Sequence, residues 1–362
     1  MNLNLVIDPK YICNELSIKN EKKIGANRVA NLFKTLNKKQ IIILIDKNRK
    51  SINEMIKYLD SIESELDQND TSTIEIFLSS LVNNSDLADF ESDVEYEGDI
   101  EKFLNNLFLK EYPLQALVSD KKDKKNLNVF SVDENDKIEE LLEEYRKEYI
   151  VSDNKSFREK SQNVFSYKKY QKTLFNTLWC STDIFIIGKE FFVNYYKHPK
   201  KEPNYFMNRE LYYDGLKFTL KPLIKNTNYT KTKTNMTIVT GLTSAEIKNF
   251  KSEFAIKVQS NDILSEFRSI FKDNFNFNLV VLKWEKGDEI TAGTGHGRKI
   301  YGKYGGFNTS YMPFEIYQNT YNQKLKKRIK SKKNNGFQWF DPNKQIKWQD
   351  LGEELFNSNK KN

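Results

Sequence analysis

Four carboxylates in the first third of the chain stand beside predicted strands and helices, where a metal ion could gather them: Asp8, Glu54, Asp99 and Asp120. Asp8 and Asp120 each follow a short apolar run that is typical of a buried strand. In open α/β sheets, ligands bind beyond the carboxyl ends of the strands. Carboxylate oxygens are the ligands that hard cations such as Mg²⁺ and Mn²⁺ prefer. The pattern therefore indicates metal-assisted chemistry at one edge of a sheet.

The elements that must position these acids alternate between strand and helix, which is typical of an α/β fold. Apolar, β-branched runs predict strands, and apolar residues at helical spacing predict helices. In the first half, strands are expected at residues 3–7, 40–45, 114–118 and 127–132. Helices are expected at residues 25–37, 51–66, 99–109 and 135–149. The acidic segment 67–97 is expected to be less regular, with a helix around 74–82.

The second half also combines strands with helical segments, so a second α/β domain is expected. The strands are expected at residues 182–187, 236–240 and 277–284, with a helix at 167–178 and a glycine-dense segment at 293–306. The predicted organisation is an acidic domain at 1–149, a linker at 150–160, a basic domain at 161–323 and a basic tail at 324–362.

Charge is distributed unevenly between the two halves. Residues 1–150 carry 21 Lys and Arg against 30 Asp and Glu, a net charge of −9. Residues 151–362 carry the other 37 basic residues against 20 acidic ones, a net charge of +17. Such asymmetry indicates that the second half binds a polyanion.

The composition excludes several other classes of protein. Two cysteines, Cys13 and Cys180, and two histidines, His198 and His296, are too few and too dispersed for a Cys/His metal site. The sequence has no apolar run of about 18 residues and no secretion signal at its start. We therefore expect no membrane span and a cytoplasmic location.

The order of the four acids resembles the PIN-domain family of metal-dependent nucleases over roughly residues 1–140. That family has an aspartate after its first strand, a helical glutamate, an aspartate that begins a later helix, and an aspartate after a strand. The last motif corresponds here to Leu117-Val118-Ser119-Asp120. The resemblance implies a three-layer α/β domain whose metal ion activates water against a phosphodiester.

The same resemblance assigns roles to the acids. Asp8, Glu54, Asp99 and Asp120 would be catalytic, and Asp8, Asp99 and Asp120 would bind Mg²⁺ or Mn²⁺. Each acid taken alone is equally compatible with a turn or a helix cap. Asp123 is either a further ligand or a solvated loop residue.

The glycine-dense segment places basic residues just after a strand: His296, Arg298, Lys299 and Lys303. With the strands before it, this segment resembles one half-site of the phospholipase D superfamily over about residues 165–315. Arg298 replaces the family's lysine, Lys303 stands where the family has an acid, and the chain has one half-site only. The resemblance therefore implies a degenerate domain that binds nucleic-acid phosphates.

One alternative for this segment is catalysis, for which a dimer would have to complete the lone half-site. The other is a hairpin whose glycines serve turns and whose basic residues face water. Three tyrosines, Tyr301, Tyr304 and Tyr311, could stack on bases or pack in the core.

The sequence leaves three functions open. The first is a metal-dependent nuclease that cuts RNA or DNA, with a basic domain that holds the polynucleotide, in the setting of bacterial toxins or antiviral defence that such two-module nucleases resemble. The second is a non-catalytic module that binds nucleic acid or a partner protein. The third is a binder of lipid head groups. A partner protein or a homo-oligomer remains compatible with each function.

Overall fold

The computed structural model describes two compact units, Met1–Arg146 and Lys147–Asn362. The residues described are 2–18, 22–37, 40–82, 89–121, 127–149, 174–188, 220–225, 233–248, 250, 252–271, 274–283, 298–309, 337–340 and 348–360. Each unit has its own sheet, and each is described below by itself. The predicted linker, 150–160, lies outside the described residues.

The first unit alternates strands and helices throughout, as the sequence predicts. Its strands are β1 (Leu3–Ile7), β2 (Ile41–Ile45), β3 (Asp89–Glu91), β4 (Ala116–Val118) and β5 (Asn128–Phe130). Its helices are α1 (Pro9–Leu16), α2 (Lys22–Leu36), α3 (Lys50–Ile62), α4 (Gln68–Val82), α5 (Ile100–Leu109) and α6 (Asn135–Tyr149).

The five strands form one parallel sheet in the order β3-β2-β1-β4-β5. The central strand β1 pairs with β2 and with β4, and Ile7 lies opposite Val118 at the carboxyl ends of β1 and β4. The chain moves outward from β1 to β3 and then returns across the sheet to β4. Because parallel crossovers are right-handed, this reversal places α5 on the face opposite to α1–α4.

Both faces of this sheet are buried, which explains why its central strands are apolar at every position. Leu3, Leu5 and Ile7 of β1 belong to a core cluster with residues of α1–α4 and α6. Val6 points to the other face and is also buried. The unit is therefore an α/β domain with helices on both sides of a parallel sheet.

Two segments of the first unit differ from the sequence expectation. No element was expected between residues 7 and 25, but Pro9 opens α1, because proline is well suited to the first position of a helix. The acidic segment 67–97 holds the fifteen-residue helix α4 and the edge strand β3, so it is more regular than expected.

The second unit contains a mixed sheet of seven strands in the order β11-β10-β9-β6-β7-β8-β12. The strands are β6 (Asp183–Ile187), β7 (Thr234–Leu242), β8 (Phe275–Lys283), β9 (Arg298–Gly302), β10 (Gly305–Thr309), β11 (Phe337–Phe340) and β12 (Glu353–Asn357). The helices α7 (Ser244–Ile247) and α8 (Glu253–Phe271) connect β7 to β8. The strands β6, β7 and β8 are parallel, and their other neighbours are antiparallel.

The segment expected as a basic tail, 324–362, contributes strands to this sheet. β11 pairs with β10, and β12 pairs with β8 along the opposite edge of the sheet. Ser358 adds a hydrogen bond from its hydroxyl to the Asn278 side chain at 2.7 Å. The described residues of this segment therefore belong to the second unit. Within the described part of the chain, no helix is long and apolar enough to cross a membrane.

The close approach of α1 and α2 depends on Gly25. A Cβ atom at this position would overlap the Glu15 carbonyl oxygen at the end of α1. We expect Gly25→Ala to lower the free energy of unfolding by about 1–3 kcal/mol, because the backbone must shift. At an unconstrained helix position, replacing glycine by alanine would instead raise the free energy of unfolding by about 1 kcal/mol.

Urea unfolding followed by circular dichroism measures this change. Lys23→Ala, at an exposed position of the same helix, is the control and should alter stability by less than about 0.5 kcal/mol. A Gly25→Ala variant as stable as the wild type would show that α1 and α2 are not in tight contact.

Candidate functional site

The strand order of the first sheet creates a topological switch point between β1 and β4, which is the place where the chain changes the side of β1 on which it adds strands. The chain leaves β1 toward β2 on one side and later reaches β4 on the other side. In sheets of this kind a crevice opens at the carboxyl ends of such strands, and ligands bind there. Asp8 follows β1 and Ser119 follows β4, so both lie at this point.

The Asp8 carboxylate is buried at the switch point, with 3% of the residue exposed. Its Oδ1 accepts a hydrogen bond from the Lys10 backbone N–H at 3.1 Å, and its Oδ2 accepts one from the Ser119 hydroxyl at 3.0 Å. Burial raises the pKa of Asp8, although these hydrogen bonds and the charge of Lys121 act in the opposite direction. A cation at this site would relieve the cost of burying the carboxylate.

Glu54 belongs to the same electrostatic environment as Asp8. It lies on α3, which packs beside α1. Burial, followed by the negative charges of Glu54 and Asp8, raises the pKa of the Cys13 thiol on α1 to about 11. Cys13 is therefore protonated at neutral pH and is not an activated nucleophile.

Asp99 belongs to the same electrostatic environment, as the causes of the raised pKa of Tyr96 indicate. Burial, followed by the charges of Asp8, Glu54 and Asp99, raises the pKa of the Tyr96 hydroxyl. Three of the four predicted acids thus lie within electrostatic reach of one buried hydroxyl. Their assignment as metal ligands or catalytic residues remains a prediction.

Asp8 and Asp99 also act as helix caps, which the sequence had left as an alternative. Asp8 caps α1, and Asp99 caps α5 by accepting hydrogen bonds from the N–H groups of Glu101 and Lys102 at 2.9 and 3.4 Å. A carboxylate has about four lone-pair sites, so a capping aspartate can still accept a further contact. The capping role fixes where each carboxylate stands.

Asp120 is less tightly held than Asp8. It follows Ser119 directly and is exposed. Asp123 lies outside the described residues. Asp120 therefore stands at the rim of the switch point and is connected to Asp8 through its neighbour Ser119.

The four acids are of the residue types that bind hard cations, but they are not arranged as a set of metal ligands. In the described ranges, no group of three or more His, Cys, Asp or Glu side chains is arranged to hold a metal ion. The carboxylate oxygens near the switch point are nevertheless of the kind that Mg²⁺ and Mn²⁺ prefer. Asp8 is the buried carboxylate of this group, whereas Asp99 and Asp120 are exposed. Their role as metal ligands remains a prediction.

Sequence reasoning missed several residues of this edge. Asp46 follows the strand QIIILI in the same way that Asp8 follows β1, and that signal could have found it. Asp46 is buried and accepts hydrogen bonds from the backbone N–H groups of Lys50 and Ser51, so it is a structural cap. Ser119 and Tyr96 carry no sequence signal that separates them from ordinary core residues.

Two lysines stand beside the buried carboxylate. Lys121 lies close enough to lower the pKa of Asp8 in part. The Lys10 Nζ lies 3.9 Å from where a Cβ atom of Gly98 would stand, next to Asp99. Both lysines are exposed, and neither forms an ion pair with another described residue. They are therefore available to a phosphate group at the mouth of the site.

In the second unit, the structure describes only part of the predicted phosphate-binding group. His296 lies outside the described residues. Arg298 begins β9, and Lys299 follows it in the same strand. Lys303 is exposed in the turn between β9 and β10. Their phosphate-binding role remains a prediction.

The tyrosines of this segment pack against the protein and do not present free rings to a base. Tyr301 is 3% exposed and stacks on Phe185 with ring centroids 5.1 Å apart. Tyr304 is buried, and the Lys303 Nζ lies 5.0 Å from its ring centroid. Of the two alternatives for these tyrosines, core packing is confirmed for Tyr301 and Tyr304. Tyr311 lies outside the described residues.

The raised pKa of Asp8 predicts a pH-dependent stability. Because the folded-state pKa lies above the ordinary value of 3.8, the free energy of unfolding falls as pH rises between these two values. Asn keeps the capping oxygen but carries no charge. We expect Asp8→Asn to raise the unfolding temperature in EDTA at neutral pH by roughly 2–4 °C.

This difference should shrink as the pH falls through the raised folded-state pKa and should vanish below 3.8, where Asp8 is protonated in both states. Thermal unfolding followed by circular dichroism at several pH values provides the measurement. Asp60→Asn, at an exposed position on α3, should change little. A lower unfolding temperature for Asp8→Asn at neutral pH would mean that the charge of Asp8 stabilises the fold.

Comparisons with known proteins give no relative for this chain. No family model, no curated protein and no solved structure matches it.

Proposed function

We propose that the first unit is a metal-dependent nuclease that hydrolyses phosphodiesters of RNA or DNA at the carboxyl edge of its sheet. The observation that carries this proposal is the buried Asp8 carboxylate at the switch point, whose pKa is raised by burial. A buried carboxylate with a perturbed pKa in a cleft is typical of a functional site. Its resemblance to the PIN-domain arrangement of acids adds support.

In this proposal each residue has a defined task. Asp8 holds the divalent cation, and Asp99 and Asp120 complete its surroundings from the rim. Glu54 adds negative charge from α3 and orients a water molecule. Mg²⁺ or Mn²⁺, when bound, would activate water and neutralise charge on the phosphodiester. The Ser119 hydroxyl fixes the orientation of the Asp8 carboxylate by donating to its Oδ2.

The exposed lysines at the site provide contacts to the substrate. Lys10 and Lys121 would bind backbone phosphates on either side of the acids, because ammonium groups attract phosphate without reading sequence. The second unit, with the basic half of the sequence, would hold the remainder of the polynucleotide. This division of roles matches the charge asymmetry of the chain.

A second candidate is a non-catalytic module that binds nucleic acid. It is favoured by one observation: Asp8 and Asp99 are satisfied helix caps, and the described residues contain no group of three ligands arranged for a metal. In that case Lys10 and Lys121 would still bind phosphate, whereas cleavage would be absent. The two candidates are separated by metal-dependent activity.

We expect the protein to cleave labelled RNA or single-stranded DNA with Mn²⁺ and to lose this activity in EDTA. Asp8→Asn should reduce the cleavage rate by about 100-fold, because ligand orientation and charge are lost together. Asp120→Asn should have a smaller effect, since Asp120 stands at the rim. Gel electrophoresis of the products measures the rate.

Asp60→Asn is the matched control, because it removes an exposed carboxylate near the opposite edge of the sheet. Since Asp8→Asn should remain folded, lost activity cannot be attributed to unfolding. Cleavage that survives both Asp8→Asn and Asp120→Asn would rule out this active site, and binding without cleavage would favour the second candidate.

Lys10→Ala and Lys121→Ala should each weaken binding of a labelled single strand and reduce its dependence on salt. The slope of log affinity against log salt should decrease in magnitude by about 0.7 for each lysine. Fluorescence anisotropy in EDTA measures both quantities without cleavage.

Lys34→Ala provides the control for this loss of charge. Lys34 is exposed in the last turn of α2, which leads into the amino edge of the sheet, away from the site. If Lys10→Ala and Lys121→Ala bind with the affinity and salt slope of Lys34→Ala, the site does not contact phosphate.

A further inference from the structure

The chain between β3 and α5 alternates between buried residues and acidic ones. Ser92, Val94 and Tyr96 are only 1–3% exposed. The residues beside them are all acidic, and their side chains are partly or largely exposed: Glu91, Asp93, Glu95 and Glu97. We refer to residues 91–97 as the acidic strap. Its buried side chains hold a row of four negative charges at the surface of the first unit.

Backbone hydrogen bonds keep the acidic strap beside the chain that follows β2. The Ser92 N–H donates to the Ile45 carbonyl at 2.7 Å, and the Lys47 N–H donates to the Val94 carbonyl at 2.7 Å. The strap is therefore fixed by its backbone and its buried residues, and its position does not depend on the ion pairs that its acids form.

Each acid of the strap forms an ion pair with a different basic residue: Glu91 with Arg49, Asp93 with Lys110, Glu95 with Lys47, and Glu97 with Lys102. In the two outer pairs, those of Glu95 and Glu97, every side chain is 48–63% exposed. Exposed ion pairs contribute little to stability and open readily. The lysines of these two pairs are therefore able to exchange a carboxylate for another anion.

The inner acids anchor the strap more firmly. The side chains of Glu91 and Arg49 are only 26% and 12% exposed, and their charged atoms lie 3.2 Å apart. The Asp93 carboxylate accepts a hydrogen bond from the Tyr112 hydroxyl at 2.8 Å in addition to its ion pair. We therefore expect exchange at the outer pairs only.

The two outer lysines border the candidate site. Lys47 follows the carboxyl end of β2, and Lys102 lies in the first turn of α5. The Lys10 Nζ lies 3.9 Å from where a Cβ atom of Gly98 would stand, directly after Glu97. The lysines held by the strap thus continue the row of ammonium groups that begins with Lys10 at the carboxyl edge of the sheet.

We propose that the acidic strap is a built-in competitor for nucleic-acid phosphates, whose outer carboxylates occupy two lysines that a single strand would otherwise bind. This inference rests on the proposed function of the first unit, but it requires no metal ion. A polynucleotide presents many phosphates and releases counterions when lysines bind it. It therefore displaces the strap's carboxylates from Lys47 and Lys102 more effectively than a single small anion does, and the strap lowers the affinity of the site for all but polynucleotides.

Removing the outer charges tests this competition in the full chain. Glutamine keeps the size of the side chain without its charge, so Glu95→Gln/Glu97→Gln should release both lysines. We expect this variant to bind a labelled single strand about tenfold more tightly than the wild type in EDTA. The slope of log affinity against log salt should increase in magnitude by about 0.7 for each released lysine. Fluorescence anisotropy measures both quantities.

Glu111→Gln/Glu144→Gln is the matched control for the change in net charge. Both glutamates are exposed: Glu111 lies between α5 and β4 at the amino edge of the sheet, and Glu144 lies in the second half of α6. This variant should bind within about twofold of the wild type, because salt screens charges that are distant from the bound strand. A gain equal to that of Glu95→Gln/Glu97→Gln would show a general effect of charge and would overturn the competition.

Substituting the lysines completes the test. In the wild-type background, Lys47→Ala/Lys102→Ala should change the affinity by less than about twofold, because these lysines are already occupied. In the Glu95→Gln/Glu97→Gln background, the same substitutions should abolish the tenfold gain. A gain that persists without the two lysines would overturn the proposal.

The outcomes distinguish this proposal from the proposed function. If the glutamine variant binds as the wild type does while Mn²⁺-dependent cleavage proceeds, the competition is overturned and the nuclease proposal stands. If no variant binds or cleaves a single strand, both are overturned. A gain in affinity that requires Lys47 and Lys102 supports the competition, whether or not the protein cleaves the strand.

Discussion

The first unit depends on one buried carboxylate, Asp8, which joins three elements at the centre of the sheet. Its backbone N–H donates to the Val118 carbonyl of β4, and its side chain caps α1 and accepts from Ser119. These bonds fix the end of β1, the start of α1 and the end of β4 against one another. They also place a negative charge at a position that is only 3% exposed, and a positive partner would offset the cost of burying it.

Most elements of the first unit could be predicted, because their apolar residues recur with the period of the structure they form. β1 is an unbroken apolar run, and α5 carries its apolar face at helical spacing. The edge strand β3 could not be predicted, since three residues, Asp89–Glu91, are too few to show a period. α1 was not predicted, because a proline directly after an apolar run, such as Pro9, is equally typical of the end of a strand.

The residues of the candidate site also fall into those that the sequence could predict and those that it could not. Asp8 and Asp99 were accessible from sequence, because each stands at the boundary of a strongly patterned element. Ser119 and Tyr96 were not, since their importance arises from tertiary contacts that a single sequence does not encode locally. In the second unit, the basic residues were conspicuous in sequence, and the structure places Arg298 and Lys299 in β9 and Lys303 in the turn that follows it.

The three unusual groups of the first unit lie together rather than scattered, which is the strongest physical reason to assign a function to this edge. Asp8 carries a buried charge, Tyr96 has an unsatisfied hydroxyl, and the Cys13 thiol has a raised pKa caused in part by Asp8 and Glu54. The buried charge of Asp8 and the unsatisfied hydroxyl of Tyr96 each cost stability, and simple substitutions such as Asn for Asp8 or Phe for Tyr96 would remove that cost. Proteins tolerate such costs where a ligand requires them. A cation among these carboxylates would turn the same charges from a cost into a binding energy.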